Sequence, residues 1–338
     1  MHTVYELNPT SIDDHLRKQL DLFYLTQSSP MSPPETRFII QLPENFQPEK
    51  LGNSDDLSKN HYINIATFAQ VESPEVHIDI SLRCLPQEVN LRDWIRVDAE
   101  KSVSQILQWR VINDGIDLLL HEVNNGNSFL SRRRLVQNGN YIFCITATSP
   151  EERYNQHFEK FFLILESFQA LFPSTFVTNS EQANLEKDIT NKISFKYPSN
   201  WNQEDTTKYD KQLLFRFNNL SSGVSVGRMI VEFESMGGDD HELTMFQRYL
   251  GALKQTGIRL NGVPMLACKP KFGFDNAWIY DPLASYQGEK LVTISLVLRQ
   301  GTTYVLIGLL SPAYDIAPEW WAINKRAFEI VRDSLCII

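Results

Sequence analysis

An order of predicted elements that recurs in the second half of the chain is the strongest constraint on its fold. A strand-like run followed by Pro, two residues and an aromatic side chain occurs in FIIQLPENF (38–46) and again in ISFKYPSNW (193–201). A helical pattern begins near Leu91 in the first copy and near Leu243 in the second. The ends of the copies match at Gly139, Tyr141, Ser149 and Pro150 against Gly301, Tyr304, Ser311 and Pro312. Their common order indicates a tandem duplication.

The length and composition agree with two domains. The chain has 338 residues, about twice the ~150 residues of a usual domain. Hydrophobic residues make up 42% and charged residues 22%, which provides apolar side chains for two cores and excludes a disordered chain. We expect an N-terminal helix and Pro-rich linker over residues 1–35, a first domain over 36–172, an interdomain linker over 173–190 and a second domain over 191–338.

Apolar residues at helical spacing predict helices over residues 11–25, 90–108 and 151–171. Ser11 and Asn90 are the expected caps of the first two helices, because their side-chain oxygens can accept hydrogen bonds from the N–H groups of a first turn. In the second copy, the corresponding helices begin near Leu243 and at Trp320 and Trp321.

Strands are predicted between these helices. Apolar and polar residues alternate from Val76 to Leu82, which is the pattern of a half-buried antiparallel strand. Asn138 and Gly139 are expected to turn a hairpin, because both tolerate positive φ. Further strand-like runs lie at 37–42, 61–69, 116–123, 129–136 and 141–148. Each copy is therefore predicted to be an α+β domain, with an antiparallel sheet covered by helices.

Three segments resemble the PsbP-like fold family, namely FIIQLPENF (38–46), FEKFFLILESF (158–168) and FKYPSNW (195–201). The family includes the extrinsic subunit of the photosynthetic oxygen-evolving complex, the yeast Ran-binding import factor, DcrB and the Eag chaperones of bacterial type VI secretion. The resemblance covers nearly the whole chain after residue 35 and implies two tandem PsbP-like domains. It also implies a binding role, since this fold serves unrelated partners. Eag chaperones are thought to cradle apolar helices of secreted effectors between paired sheets.

The sequence lacks the common motifs of catalysis, among them a Walker A loop, GxGxxG, GxSxG and HExxH. One acidic cluster, GGDDHE (237–242), could supply metal ligands through Asp239, Asp240 and His241. The same residues are typical of a turn followed by a helix cap, so both interpretations stay open. We expect no catalytic activity, no cofactor and no metal.

Seven residues are candidates for binding a protein partner. Arg132, Arg133 and Arg134 form a basic triplet that could anchor an acidic partner segment. The triplet is more typical of the solvated edge of a hairpin, where its charges would block pairing with another sheet. Four aromatic residues could line a protein-binding groove or could pack in a core, and these are Trp278, Tyr280, Trp320 and Trp321.

The charge and hydropathy of the chain limit its possible binding partners and its cellular location. With 32 Lys+Arg against 41 Asp+Glu, the net charge of −9 argues against nucleic acid or an anionic membrane as the main partner. The longest apolar runs, such as Tyr304 to Leu310, are shorter than the ~20 residues that span a bilayer. The N-terminus lacks the pattern of a signal peptide, and the scattered cysteines favour a reducing compartment. We therefore expect a cytoplasmic protein.

Three functions follow from these observations. The first is a non-catalytic adaptor or chaperone, for example for a bacterial type VI secretion effector. The second is an accessory component of a secretion machine that docks through one domain and holds a partner with the other. The third is a metal-assisted enzyme that uses the cluster at Asp239, Asp240 and His241.

Overall fold

The chain divides into two compact units in this computed structural model, Met1–Phe176 and Val177–Ile338. Each unit is described by itself. The structure describes residues 7–9, 11–28, 32–51, 61–101, 104–112, 115–172, 178–184, 192–204, 206–209, 212–235, 241–261, 265–271 and 273–337.

The first unit combines antiparallel strands with helices. Its helices are α1 (Asp14–Leu20), α2 (Leu91–Lys101) and α3 (Tyr154–Ser167), with 3₁₀ turns at Pro34–Thr36 and Glu151–Arg153. Its strands are β1 (Tyr24–Gln27), β2 (Phe38–Leu42), β3 (Phe46–Leu51), β4 (Ile63–Gln70), β5 (Ser73–Cys84), β6 (Gln105–Ile112), β7 (Gly115–Asn124), β8 (Asn127–Asn138), β9 (Tyr141–Pro150) and β10 (Gln169–Ala170). The described strands form a large sheet in the order β3-β4-β5-β9-β8-β7-β6 and a small one in the order β1-β2-β10.

Helix α3 covers one face of the large sheet. The alternation predicted on β5 is confirmed, because Val76, Ile78, Ile80 and Leu82 are all fully buried. These side chains belong to one core with residues of α3, among them Phe161, Ile164 and Leu165. The side chains that alternate with these residues along each strand point to the opposite face of the sheet.

The predicted helices are correct in place but too long. Asp13, rather than Ser11, caps α1, since its Oδ1 accepts a hydrogen bond from the Leu16 N–H at 2.9 Å. Residues 24 and 25 of the first predicted helix belong to β1, and residues 105–108 of the second belong to β6. In each case a neighbouring strand offers the backbone a ladder of hydrogen bonds, which outweighs local helical spacing.

The predicted hairpin at residues 138–139 is confirmed, with one change in its turn. Asn138 pairs with Tyr141 in the ladder, so the turn residues are Gly139 and Asn140. Gly139 has φ of 63°, a value that suits glycine, and Gly301 has φ of 58° in the corresponding hairpin of the second unit.

The second unit has helices α4 (His241–Gln255) and α5 (Pro318–Ser334). Its strands are β11 (Thr178–Asn184), β12 (Lys192–Pro198), β13 (Asn202–Gln203), β14 (Thr207–Tyr209), β15 (Gln212–Ser221), β16 (Val224–Ser235), β17 (Arg259–Asn261), β18 (Leu266–Cys268), β19 (Asn276–Tyr280), β20 (Leu283–Tyr286), β21 (Glu289–Gln300), β22 (Thr303–Pro312) and β23 (Cys336–Ile337). The main order of its large sheet is β13-β15-β16-β22-β21-β19-β18, and β11-β12-β23 form a small sheet.

The polar stretch predicted as a linker, 173–190, contains strand β11. Its residues pair with β12 from Thr178, opposite Pro198, to Asn184, opposite Lys192. The prediction of a linker is therefore wrong for residues 178–184, because they belong to a sheet of the second unit. Backbone hydrogen bonds to β12 stabilise the strand. The polar composition of the segment gives no alternating apolar pattern from which a strand could be predicted.

Two helices pack on opposite faces of the second unit's large sheet. Val231, Val305 and Ile307 belong to the core that includes residues of α5, such as Phe328. On the other face, the core under α4 includes Met245, Phe246, Tyr249, Tyr304 and Leu306. Among the described residues, no helix is long and apolar enough to cross a membrane.

Candidate functional site

A buried carboxylate surrounded by arginines lies on the α3 face of the first unit. Asp117 of β7 is fully buried, and its Oδ2 accepts hydrogen bonds from Arg110 at 2.7 Å and Arg132 at 3.1 Å. Its Oδ1 accepts one from Nε of Arg134 at 2.8 Å. Burial alone would raise the pKa of Asp117, but the hydrogen bonds and positive charges of the arginines outweigh burial and lower the pKa to about 2.

The interpretation of the arginine triplet as a solvated hairpin edge is wrong. Strand β8 pairs with β7 on one side and β9 on the other, so it is not an edge. Arg132 and Arg134 alternate onto the α3 face, where their exposed fractions are 0% and 4%. Arg134 also donates to the Glu166 carboxylate of α3 at 2.5 Å. Both arginines are thus bound within their own unit, and only Arg133 points to the opposite face.

The arginines also hold the N-terminal residues of the chain. Arg132 donates to the carbonyl oxygen of Asn8 at 2.9 Å, and Arg110 donates to that of Leu7 at 3.0 Å. Both arginines reach the carbonyl oxygen of Pro9, at 3.2 and 3.3 Å. Residues 7–9, which we call the N-terminal strap, therefore lie over the arginine network.

Strand β6 forms one edge of the large sheet. It pairs with β7, and no other described strand pairs with it. Three apolar side chains of this strand are exposed, and beyond Leu107 at the register shift they are Trp109, by 48%, and Val111, by 50%. Trp109 and Val111 lie on the face opposite the arginine network, because they pair with Leu118 and Ile116 rather than with Asp117. The register shifts between Ile106 and Gln108 and is regular from there to the end of the strand.

The helix predicted over 90–108 includes the start of β6, so the sequence does not predict this edge strand. The alternating sequence QILQWRVI (105–112) was the available signal, since it places exposed and half-buried residues in turn along the strand.

The open face of the first sheet has a polar groove of about 370 Å³. His77 Nε2 lies 3.2 Å from Asp79 Oδ2, and the Thr67 hydroxyl donates to Asp79 Oδ1 at 2.6 Å. The bond to Asp79 raises the pKa of His77 more than burial lowers it. Burial raises the pKa of Asp79, but hydrogen bonds from His77 and Thr67 leave it below the usual range. The groove therefore holds an Asp79 that ionises more readily than a free carboxyl group, beside a His77 that is protonated more readily than a free imidazole.

Arg133 lines the same groove. Its Nε donates to the Thr146 hydroxyl at 3.1 Å, and its Nη2 lies 3.8 Å from a carboxylate oxygen of Glu122. The structure places this one member of the arginine triplet on an open surface, so partner binding by Arg133 stays a prediction.

Of the four aromatic candidates, two are buried in a core and two are partly exposed. Tyr280 is 9% exposed and lies 6.0 Å, ring to ring, from Phe246 under α4. Trp321 is 8% exposed and belongs to the core beneath α5. Tyr280 and Trp321 therefore contribute to packing. Trp278 and Trp320 are half-buried, so partner binding by them stays a prediction.

A second groove, of about 300 Å³, lies beside α4 in the second unit. Arg248 of α4 binds the carboxylates of Glu232 and Glu234 on β16. Burial raises the pKa of Glu232 despite the charge of Arg248. These ion pairs fasten α4 to the sheet. Arg228 also lines this groove and is exposed.

The proposed metal cluster cannot be located in the described part of the chain. Asp239 and Asp240 lie outside the described residues, and so does the side chain of His241. Among the residues that are described, no group of His, Cys, Asp and Glu has the arrangement of a metal site.

Comparisons with known proteins give structural likenesses only. No family model and no curated protein matches the sequence. The cyanobacterial PsbP of Synechocystis sp. PCC 6803 is 12% identical over 43% of this chain and 92% of its own, with a TM-score of 0.30. The Saccharomyces cerevisiae Ran-binding protein Mog1p is 14% identical over 47% of this chain and 96% of its own, with a TM-score of 0.29.

A further likeness extends over most of the chain. The type VI secretion immunity protein TplEi of Pseudomonas aeruginosa is 12% identical over 93% of this chain and 97% of its own, with a TM-score of 0.23. At such scores, these likenesses carry no argument about function. The α+β architecture with antiparallel sheets follows from the chain's own strands and helices.

Proposed function

We propose that this chain is a non-catalytic protein-binding protein, a cytoplasmic adaptor or chaperone that docks an extended segment of its partner on the edge of β6. The observation that carries the proposal is the exposed pair Trp109 and Val111 on a strand that pairs on one side with β7 and has no other described partner. A type VI secretion effector, the partner implied by the sequence resemblance, is the concrete version of the proposal.

The chemistry of this edge favours another strand as its ligand. An edge strand presents unpaired N–H and C=O groups, which an added strand can satisfy. Most proteins protect such edges with charged side chains or proline. The charged residue of β6, Arg110, binds Asp117 on one face of the sheet, whereas Trp109 and Val111 are exposed on the other. Tryptophan is enriched among the residues that dominate binding energies at protein interfaces.

The two units would serve this role as a tandem duplication, which is part of the proposal. In support, each has a long hairpin that turns at a glycine of positive φ, Gly139 or Gly301, followed by a helix over one sheet face. A second binding surface in the same chain raises avidity through effective concentration, with no new kind of contact.

The experiment compares capture by three versions of the full chain in lysate of its native host. Trp109→Glu places a charge on the docking edge, and Leu220→Glu is the matched control because Leu220 is exposed by 44% in the second unit. We expect a protein that is retained by the wild type and by Leu220→Glu but lost with Trp109→Glu. Equal retention by all three would refute docking at β6. Urea unfolding of each variant confirms that the fold is intact.

A further inference from the structure

The N-terminal strap is held through its backbone, as a bound peptide would be. The Leu7 N–H donates to Oε1 of Gln108 at 2.8 Å, and the Leu7 carbonyl accepts from Arg110 at 3.0 Å. The carbonyl of Asn8 accepts from Arg132 at 2.9 Å. Leu7 is the side chain that is anchored, since it is 6% exposed and belongs to the core of the unit. Asn8 is exposed.

This combination matches the general logic of peptide recognition. Hydrogen bonds to the peptide backbone give affinity without dependence on sequence, and a pocket for one side chain gives specificity. Here the donors and acceptors come from side chains of β6 and β8, and the pocket takes a leucine.

The charges at this site favour the binding of an anionic ligand in preference to the strap. Arg110, Arg132 and Arg134 face the carboxylates of Asp117 and Glu166, which leaves one positive charge in excess. The strap supplies carbonyl oxygens, which are neutral acceptors. In addition, Nε of the fully buried Arg132 has no hydrogen-bond partner among the described residues. A carboxylate in place of a carbonyl would form shorter and stronger hydrogen bonds to these guanidinium groups.

We propose that Gln108, Arg110 and Arg132 form a peptide-binding site that takes an extended partner segment in exchange for the N-terminal strap. The segment has an apolar residue in the place of Leu7 and an acidic residue two positions later, in the place of Pro9. This inference rests on the proposed function, because it names the ligand that a protein-binding chain would take. The site and the docking edge use opposite faces of β6, since Gln108 and Arg110 alternate along this strand with Trp109.

The test is a titration of a fluorescent peptide, Glu-Leu-Asn-Asp-Thr-Ser, against the full chain, read by fluorescence anisotropy. The Leu7→Ser variant removes the apolar anchor of the strap and so opens the site. Because a tethered segment competes at an effective concentration in the millimolar range, we expect Leu7→Ser to bind the peptide at least ~10-fold more tightly than the wild type.

Two double variants locate the site. Adding Arg110→Met to Leu7→Ser removes donors to Leu7 and Pro9, and we expect the affinity to fall at least ~10-fold. Adding Arg228→Met instead is the matched control, because Arg228 is an exposed arginine of the second unit, and the affinity should not change. Absence of binding to Leu7→Ser, or equal binding after Arg110→Met, would overturn the inference.

A second measurement needs no substitution, so it stands even where Leu7→Ser fails to fold. Hydrogen–deuterium exchange of the wild-type chain is followed with and without a saturating amount of the peptide. Displacement of the strap breaks the bond between the Leu7 N–H and Gln108, so we expect faster exchange in the N-terminal residues. Unchanged exchange would overturn the inference. The proposed function would still stand if Trp109→Glu abolished capture, because that result concerns the opposite side of β6.

Discussion

Replacement of Asp117 by Asn is expected to destabilise the first unit far more than the loss of one hydrogen-bond acceptor. The carboxylate lies at 2.7, 3.1 and 2.8 Å from nitrogen atoms of Arg110, Arg132 and Arg134 in a site closed to water. An amide of the same shape keeps the packing but removes the negative charge. Arg134 then retains the carboxylate of Glu166, whereas Arg132 retains only carbonyl groups as acceptors.

The magnitude follows from the pKa of the carboxyl group. A pKa lowered from 3.8 to about 2 corresponds to roughly 2–3 kcal/mol of favourable interaction with the ionised form. Removal of one partner from a buried ion pair costs ~3–5 kcal/mol in other proteins, because the remaining charge is left uncompensated. We therefore expect Asp117→Asn to lower the free energy of unfolding of the first unit by ~2–5 kcal/mol.

The assay is urea unfolding followed by hydrogen–deuterium exchange and mass spectrometry, which reports on β7 and β8 separately from the second unit. Asp315→Asn is the matched control, because Asp315 forms an exposed ion pair with Lys290 at 2.8 Å. We expect this control to leave the unfolding midpoints unchanged, since exposed ion pairs contribute little. A midpoint of the first unit that corresponds to less than about 1 kcal/mol of destabilisation by Asp117→Asn would refute the reasoning.

The same pair of proteins gives a pH dependence with a defined sign. Since the pKa of Asp117 is lowered in the folded state, its contribution is fully present above the unfolded value of 3.8 and is lost as the pH falls towards about 2. The difference in stability between the wild type and Asp117→Asn should therefore shrink over this range. A difference that stays constant down to about pH 2 would contradict the assignment of the charge.

The remaining predictions concern other parts of the molecule. The hydrogen bond to Asp79 raises the pKa of His77, so the pair stabilises the fold below about pH 6.5 and this effect is lost as the pH rises through the folded pKa. His77→Gln should therefore lower the urea midpoint more at about pH 5.5 than at about pH 8.5. Gly308→Ala should cost ~1–3 kcal/mol in urea unfolding, because the added Cβ would lie 2.7 Å from the ring of Tyr249. Gly251→Ala in α4 meets no atom within 4 Å and should instead raise the stability by up to ~1 kcal/mol; a loss would mean that the helix is distorted there.

Local patterns explain which parts of the fold could be predicted. The strand from Val76 to Leu82 was recognisable because successive side chains of a strand point to opposite faces, so burial of one face leaves a period of two. The hairpin at Gly139 was recognisable because few residues besides glycine adopt its positive φ. Each of these patterns is formed by residues that lie within a few positions of one another in the chain.

Long-range partners explain the errors. Residues 105–108 continue a helical pattern, yet they form β6 because β7 offers them a ladder of hydrogen bonds. The polar residues 178–184 form β11 for the same reason, with β12 as the partner. A single sequence does not show which segment lies beside which, so local propensity was the only guide at these positions.

The candidate site shows the same division. The sequence by itself determined that arginines at 132–134 alternate between two faces, and that a chain of this composition forms cores under helices. Only the tertiary structure decided that β8 lies inside a sheet, that Asp117 meets two of these arginines, and that Trp109 lies on an open edge. The reason is physical: periodicity is a property of neighbouring residues, whereas burial and charge pairing depend on strands that are distant in the chain and adjacent in space.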